Sequence, residues 1–453
     1  MKSKKTGLKI FLIILSVVME GLLAWALLTA LKSNNLADSR MVMFVVILML
    51  TVPVMLTALL LIVIFGKRKE KQAVTVKDLR EQAKTEPPID PEETGERFCM
   101  LCEIDEKRNT YGHREYDKAE SLEELCEEFR NYAASKLRLY YDIEDIRRFV
   151  SGLAVSRILI LQGMSGTGKT SLAHAFGSFL GNSSTVIPVQ PMWKERTDLI
   201  GYYNEFTKRF NETLLLQKMY EANYSRDMYI TVLDEMNIAR VEYYFAEFLS
   251  LLELPNPEER YLDVVSDRWE SDPMQLRDGR IKLPTNMWFI GTANNDDSTF
   301  AISDKVYDRA MVLDLDRKAE RFICPATPKK RVSAEQFETL VDNAIKEYEI
   351  SARNRARLTE LDNYLIENFH ITFGNRIMKQ ILTYIPVYIS CGGDELSALD
   401  DILSKKVIRK LESQNPIYLR HAAEGLISFM DTTFGEDNMP ICRGHIERIL
   451  RNA

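Results

Sequence analysis

Cysteine and histidine are scarce here, with six and five among 453 residues. Six thiols over that length make no disulfide framework, which points to a reducing compartment. The histidines are scattered: no His-Glu-x-x-His stands on a helix and no Gly-x-Ser-x-Gly marks a nucleophile, so zinc-protease and serine-hydrolase chemistry are set aside. No nuclease motif, no separate base-reading domain and no guanine-specific Asn-Lys-x-Asp run is visible. A surplus of positive charge is lacking too. The formal net charge is −7, and residues 1–72 hold ten Lys/Arg against three Asp/Glu, which leaves −14 for residues 73–453. That acidic part repels phosphate backbones, so nucleic acid is possible but not the favoured partner. What is present, 46% hydrophobic and 28% charged residues, excludes wholesale disorder and an all-membrane transporter. The length suits two or three structural units.

Two apolar runs stand at the N-terminal end. Ile10–Leu31 covers 22 residues with Glu20 as its one charge, and Met41–Phe65 covers 25 with none. Each is long enough to cross a bilayer core of about 30 Å as a helix, and residues 32–40 suit a polar turn. A cleaved signal peptide is the rival reading, but the first run lacks a small-residue cleavage site and a second run soon follows. Lys2, Lys4, Lys5 and Lys9 precede the first run and Lys67, Arg68, Lys69 and Lys71 follow the second. By the positive-inside rule both termini and the body would be cytoplasmic. The expectation is a multi-pass protein of the cytoplasmic (inner) membrane, anchored by a transmembrane helical hairpin over 1–66. Within it, an unpaired Glu20 costs about 2.5 kcal/mol or more, so it is either protonated against a neighbouring helix or in contact with a membrane partner.

Residues 67–96 lose periodicity and carry Pro87, Pro88 and Pro91 among acids, a solvated linker. A helical extension follows over 97–153, with Ser121 and Glu124 as a capping box and Leu122, Leu125, Cys126, Phe129 and Tyr132 at helical spacing. Cys99 and Cys102, with His113 and Cys126 behind them, have poor spacing for a zinc module and read as packed thiols. Next comes an apolar strand from Arg157 to Leu161, then Gly163-Met164-Ser165-Gly166-Thr167-Gly168-Lys169-Thr170, and a helix from Ser171. This is a complete Gly-x4-Gly-Lys-Thr phosphate loop between strand and helix. In such a loop backbone N–H groups surround the phosphates, Lys169 reaches the β and γ phosphates, and the Thr170 hydroxyl ligates Mg2+. His174, just beyond, reads as packed. A second strand, Thr185–Val189, precedes a hairpin candidate over Tyr202–Phe210. A further apolar strand, Tyr229–Leu233, ends in Asp234 and Glu235, the arrangement that delivers one carboxylate to the metal and the next to the attacking water. Met287–Asn294 is another strand, with Asn294 placed to hold that water. A polar insertion over Pro255–Pro284 carries two candidate paired strands, Tyr261–Val265 and Arg280–Leu283. From Ser333 onward the pattern is helical, with Phe337, Leu340, Val341 and Ala344 on one stripe and Leu399, Ile402, Val407 and Ile408 on another.

The ordered set Leu161-Gln-Gly-Met-Ser-Gly-Thr-Gly-Lys-Thr, Asp198-Leu-Ile-Gly201-Tyr-Tyr, Asp234-Glu-Met-Asn-Ile-Ala-Arg240 and Gly291-Thr-Ala-Asn294 resembles the AAA+ ATPases. Within them it is similar to the branch with an insertion in the second helix, which includes MoxR, dynein and, closest, McrB-like proteins. The resemblance implies an α/β fold: a P-loop AAA+ core over 154–325 with a parallel five-stranded sheet and flanking helices, then an all-α lid and further helices over 326–453. It also implies a phosphate site over Gly163–Ser171, Mg2+ held by Thr170 and Asp234, and Glu235 and Asn294 as catalytic base and first sensor. Arg309 would be the finger that completes a neighbour's site, with Lys305 as its alternative, and Arg376 the second sensor. The hairpin would line the pore of a homo-oligomeric, hexameric ring. Asn237 matches an Asn of McrB-like proteins, whereas Arg240 stands where they often carry another Asn and reads as a salt bridge to Glu242 or Glu247. ATP with Mg2+ is the expected cofactor, although McrB uses GTP in this architecture. Three functions follow: a membrane-anchored ATPase remodelling an unknown protein partner, a DNA-restriction motor, or a nucleotide-gated scaffold. Intact Glu235 speaks against the scaffold, and the acidic body against the DNA motor.

Overall fold

The structure, a computed structural model, describes residues 96–452 apart from 113 and 295–298. The runs 10–31 and 41–65, Glu20, His113 and nearly all of the linker 67–96 lie outside the described residues. Among the described residues no helix is long and apolar enough to cross a membrane. The longest, Pro416–Phe434, carries Arg420, Glu424 and Asp431 within its 19 residues. This corrects the expected multi-pass membrane location, which is not carried forward.

Two short helices, α1 (Met100–Glu106) and α2 (Arg108–Gly112), precede α3 (Leu122–Leu137) and α4 (Ile143–Val155). Ser121 caps α3 by accepting the Glu124 N–H. Glu124 returns its carboxylate to the Glu120 N–H instead of that of Ser121, so the capping box is half made. The central layer is built from β1 (Ile158–Gly163), β2 (Thr185–Pro188), β5 (Tyr229–Asp234), β9 (Met287–Asn294) and β10 (Met311–Asp314). They form one parallel sheet in the order β10-β1-β9-β5-β2. Because a parallel sheet is covered on both faces, its strands are continuous apolar runs rather than alternating ones. Side chains then divide by parity. Leu159, Leu161, Ile230, Val232, Trp288 and Ile290 enter one core, and Ile158, Ile160, Leu233, Met287 and Phe289 enter the other.

The first core is closed by α3, α4, α5 (Lys169–Phe179) and the C-terminal helices. Trp288, fully buried, donates its indole N–H to the Leu153 carbonyl at 2.9 Å and meets Phe337 edge-on, so one side chain joins sheet, α4 and α11 (Ala334–Glu347). Ser333 and Gln336 form a complete capping box for α11. Between α5 and α11 lie the shorter helices α6 (Thr197–Ile200), α7 (Leu214–Ala222), α8 (Val241–Tyr244), α9 (Ala246–Leu251) and α10 (Asp304–Tyr307), and after α11 come α12 (Ala352–Phe369), α13 (Gly374–Ser390), α14 (Glu395–Lys406), α15 (Pro416–Phe434) and α16 (Pro440–Asn452). Between β2 and β5 the hairpin β3 (Gly201–Asn204) and β4 (Arg209–Glu212) pairs antiparallel, as the sequence pattern predicts. So does β6 (Tyr261–Asp263) with β8 (Arg280–Lys282) in the second insertion.

Candidate nucleotide site

Parallel strands bring their C-terminal ends to one edge, and there the site residues meet. Gly163, at the end of β1, pairs in register with Asn294 at the end of β9, and Leu233, just before Asp234, lies opposite Gly291. Gly163 adopts φ +138°, and a Cβ there would stand 2.5 Å from the Leu315 carbonyl oxygen, so the turn requires glycine. The helix begins at Lys169 rather than at Ser171. Gly168 at its N-cap, with φ +97°, frees the N–H groups of its first turn to face the loop. Tyr141 donates its hydroxyl to the Gly168 carbonyl at 3.1 Å, tying α4's entry to the loop.

Lys169 is buried and its Nζ donates to the carbonyls of Gly163 and Met164 at 2.9 and 2.7 Å. The Thr170 hydroxyl donates to Asp234 Oδ1 at 2.7 Å. Thr292, which the sequence reading passed over, donates its hydroxyl to the same oxygen at 2.8 Å and accepts the Glu235 N–H at 2.9 Å. A short polar residue two positions before Asn294, on a strand otherwise apolar, was the signal available in the sequence. Glu235 itself is exposed and holds φ 52°, ψ 47°, a left-handed conformation unusual for a non-glycine residue. That conformation ends the run of β5 at Asp234. Asn237 is buried and donates to the carbonyls of Asn294 and Phe300 at 3.0 and 3.3 Å, which anchors the end of β9. A cavity of about 440 Å³ opens alongside, lined by Gln162, Asn237, Asn294, Tyr307, Asp314 and Lys405 among others.

The arginines gather elsewhere. Arg309 NH2 stands 2.7 Å from Glu253 Oε2, and its NH1 donates to the Lys305 carbonyl at 2.8 Å. Arg376 NH2 stands 2.6 Å from Glu253 Oε1, an ion pair whose angle is poor for a hydrogen bond. Both line a second cavity of about 730 Å³ whose walls include Arg157, Arg260 and Lys379 but no residue of the phosphate loop. Lys305 is exposed. Arg240 lies 3.8 Å from Glu242, as its salt-bridge reading expects, whereas Glu247 pairs with Arg196. Two smaller expectations change. His174 is exposed on α5 rather than packed, and Cys99 is exposed while Cys102 is half-buried. Cys126 belongs to the first core and Cys102 borders the second, on the opposite face of the sheet.

Residues 158–310 match the family described as AAA domain (dynein-related subfamily), and residues 328–453 match a domain of unknown function, DUF8727. Among solved structures the chain is similar to a provisionally named ATPase from Cytophaga hutchinsonii, with 15% identity over 72% of this chain and 97% of that one. The TM-score is 0.45, and at that value the likeness carries no argument. No curated protein matches. The phosphate loop, the acid pair at the end of β5 and the family match over the same residues define residues 158–310 as an AAA domain of the dynein-related kind. The protein is an ATPase.

Proposed function

We propose that the protein works as a ring of identical copies, each using the hydrolysis of ATP with Mg2+ to remodel a protein partner. The observation that carries this reading is the location of Arg309 and Arg376. They meet on Glu253, in a cavity whose walls hold no phosphate-loop residue, which supports Arg309 acting at a neighbouring copy's site, with Arg376 beside it as the second sensor on the lid. Arginine supplied across such an interface is worth about 10³ or more in rate in related phosphoryl transfer.

Within one copy, the N–H groups of Gly163–Ser171 and the ammonium of Lys169 hold the phosphates. Thr170 and Asp234, whose oxygens lie 2.7 Å apart, form an oxygen donor pair suited to Mg2+, which when bound would neutralise developing phosphate charge. Glu235 takes the proton of the attacking water and Asn294 orients that water. The hairpin β3–β4 carries Phe206 fully exposed at its tip, an apolar contact fitted to an unfolded or loosely held polypeptide. The balance of −14 over residues 73–453 disfavours the alternative of a motor on duplex DNA.

The test uses the full-length chain. Specific ATPase activity is expected to rise with protein concentration and to vanish in both Glu235→Gln and Arg309→Ala. Mixing these two inactive variants is expected to restore turnover, because a Glu235→Gln copy still offers Arg309 to the intact site of its neighbour. Activity independent of concentration, or no recovery on mixing, would sink the proposal.

A further inference from the structure

Two adjacent lysines end α14, and both are buried: Lys405 is 7% and Lys406 3% exposed. A buried lysine is costly unless its ammonium is met by acceptors, so where each one points is informative. Lys405 Nζ pairs with Asp314 at the end of β10. Lys406 Nζ donates to the carbonyls of Tyr307 and Ala310 at 2.8 and 2.5 Å, with the Asp308 carbonyl at 3.5 Å. These three carbonyls surround Arg309 in sequence. Gln380 of α13 adds a hydrogen bond to the Asp308 carbonyl at 3.2 Å.

The two contacts are not independent, because Gln162 joins their far ends. Its Nε2 donates to Asp314 Oδ1 at 2.6 Å, and its Oε1 accepts the Tyr307 hydroxyl at 3.1 Å. Gln162 directly precedes Gly163, the first residue of the phosphate loop. The bonds therefore close on themselves: Gln162 to Tyr307, along Tyr307 to its own carbonyl, to Lys406, back one residue to Lys405, to Asp314, and to Gln162 again. One circuit touches the strand that bears the phosphate loop, the α10 helix (Asp304–Tyr307) that leads into Arg309, and the C-terminal helical region.

We propose that Gln162, Tyr307, Asp314, Lys405 and Lys406 form a closed ring that fixes Arg309 relative to the phosphate loop, so that the C-terminal region couples a copy's own nucleotide site to the arginine it offers its neighbour. The ring rests on the reading that Arg309 acts between copies. Its members are positioning residues; none needs to touch nucleotide. Rigid, satisfied networks of this kind have few alternative arrangements, so displacement at Gln162 is transmitted rather than absorbed. A 1 Å misplacement of a group acting on a transition state costs up to about 10²-fold in rate, which sets the scale of the effect.

The experiment uses the full-length chain with Lys406→Met, which removes the donor and keeps the apolar stem, and Tyr307→Phe, which removes one hydroxyl. Tyr307→Phe carries the test if Lys406→Met does not fold. The expected result is a fall in kcat of about tenfold or more for Lys406→Met and roughly threefold or more for Tyr307→Phe, with affinity for a fluorescent ATP analogue within about twofold of wild type. Mixing either variant with Glu235→Gln should recover activity, as for Arg309→Ala, because the fault lies in the arginine offered and not in the site. Hydrogen exchange should rise over 304–310 and also over 162–168, on the far side of the ring. Wild-type turnover in both variants overturns the ring, and so does unchanged exchange over 162–168. If Arg309→Ala itself is not recovered by mixing, the inter-copy reading fails, while the exchange measurement still decides the ring. If Arg309→Ala is recovered and the ring variants are not, the ring does not act through Arg309.

Discussion

Thr292 and Asp234 share a hydrogen bond at 2.8 Å across neighbouring strands, and the same hydroxyl accepts the N–H of Glu235. One small side chain thus holds both acids of the site: it orients the Asp234 carboxylate and stabilises the left-handed backbone that presents Glu235. Thr292→Val keeps the shape and deletes these bonds. A hydrogen bond to a charged group is worth about 1.5–3 kcal/mol, so kcat is expected to fall by about ten- to a hundredfold. Thr292→Ser should restore most of it, since the hydroxyl rather than the methyl does the holding. Steady-state kinetics with both variants checks this; equal activity in Thr292→Val and wild type would remove Thr292 from the site.

Glu253 holds Arg309 and Arg376 at once within a copy, through ion pairs of 2.7 and 2.6 Å. For those arginines to serve a neighbour they must leave it. Partly exposed pairs are worth about 0.2–1 kcal/mol each, so the two together oppose assembly by roughly twofold to thirtyfold. Glu253→Gln should lower the protein concentration that gives half-maximal turnover by about that factor, read from activity against concentration and from sedimentation. A shift to higher concentration would mean that Glu253 instead prearranges the arginines for the neighbour.

The core was legible because its physics is local. Strands buried on both faces must be apolar throughout, which is why Met287–Asn294 could be bounded from sequence to the residue and Tyr229–Leu233 to within one residue of the observed Tyr229–Asp234. The phosphate loop was legible because glycines at fixed spacing have one structural use there. What the pattern did not give is where distant side chains finish. Arg376 was read by family resemblance as a second sensor, yet its position depends on how α13 docks, and that docking is decided by contacts more than 200 residues apart in sequence, such as Arg147 Nε with the Cys391 carbonyl at 3.0 Å. Lys405 and Lys406 interrupt an apolar stripe and could only be read as helix surface. Burial and partners, not residue type, make them part of a network. Likewise Gln162 is a single polar residue ending an apolar strand, and its two partners come from segments about 150 residues away.

Gly201 opens the hairpin with φ +98°, and a Cβ there would lie 1.9 Å from the Asn211 carbonyl oxygen. Gly201→Ala cannot be accommodated without moving the paired strand, at a cost of about 1–3 kcal/mol. The hairpin is an insertion paired with itself, outside the five-stranded sheet. The substitution should therefore open the hairpin to limited proteolysis while ATP-analogue binding stays within about twofold of wild type, a window set by the rule that distant sites act independently. Loss of nucleotide binding would show that the hairpin supports the site.

Buried ionisable groups between the core and the C-terminal helices give stability an unusual dependence on pH. Burial pushes Asp145 and Asp401 up to about 6, against the pull of Arg148. Burial also brings Lys405 and Lys406 down to about 7. Around Lys406 stand Asp308, which favours its charge, and Arg409, Lys410 and Arg376, which oppose it. Around Lys405, Arg148, Arg448 and Arg409 oppose its charge, whereas Cys442 and its ion-pair partner Asp314 favour it. The signs follow from proton counts. Between about 4 and 6 the folded state binds more protons than the unfolded chain at the two carboxyls, so their contribution falls as pH rises. Between about 7 and 10.5 the folded state binds fewer at the two lysines, so theirs rises with pH and is lost again as pH falls through about 7. The contributions together leave a trough near pH 6–7. The melting temperature of the wild type should therefore climb from pH 7 to pH 9, and the climb should be smaller in Lys406→Met, which has one of the two lysines removed. Calorimetry at the two pH values in matched ionic strength decides it: an equal climb in both proteins would mean that Lys406 keeps an ordinary lysine pKa and that its ammonium is better solvated than its burial implies.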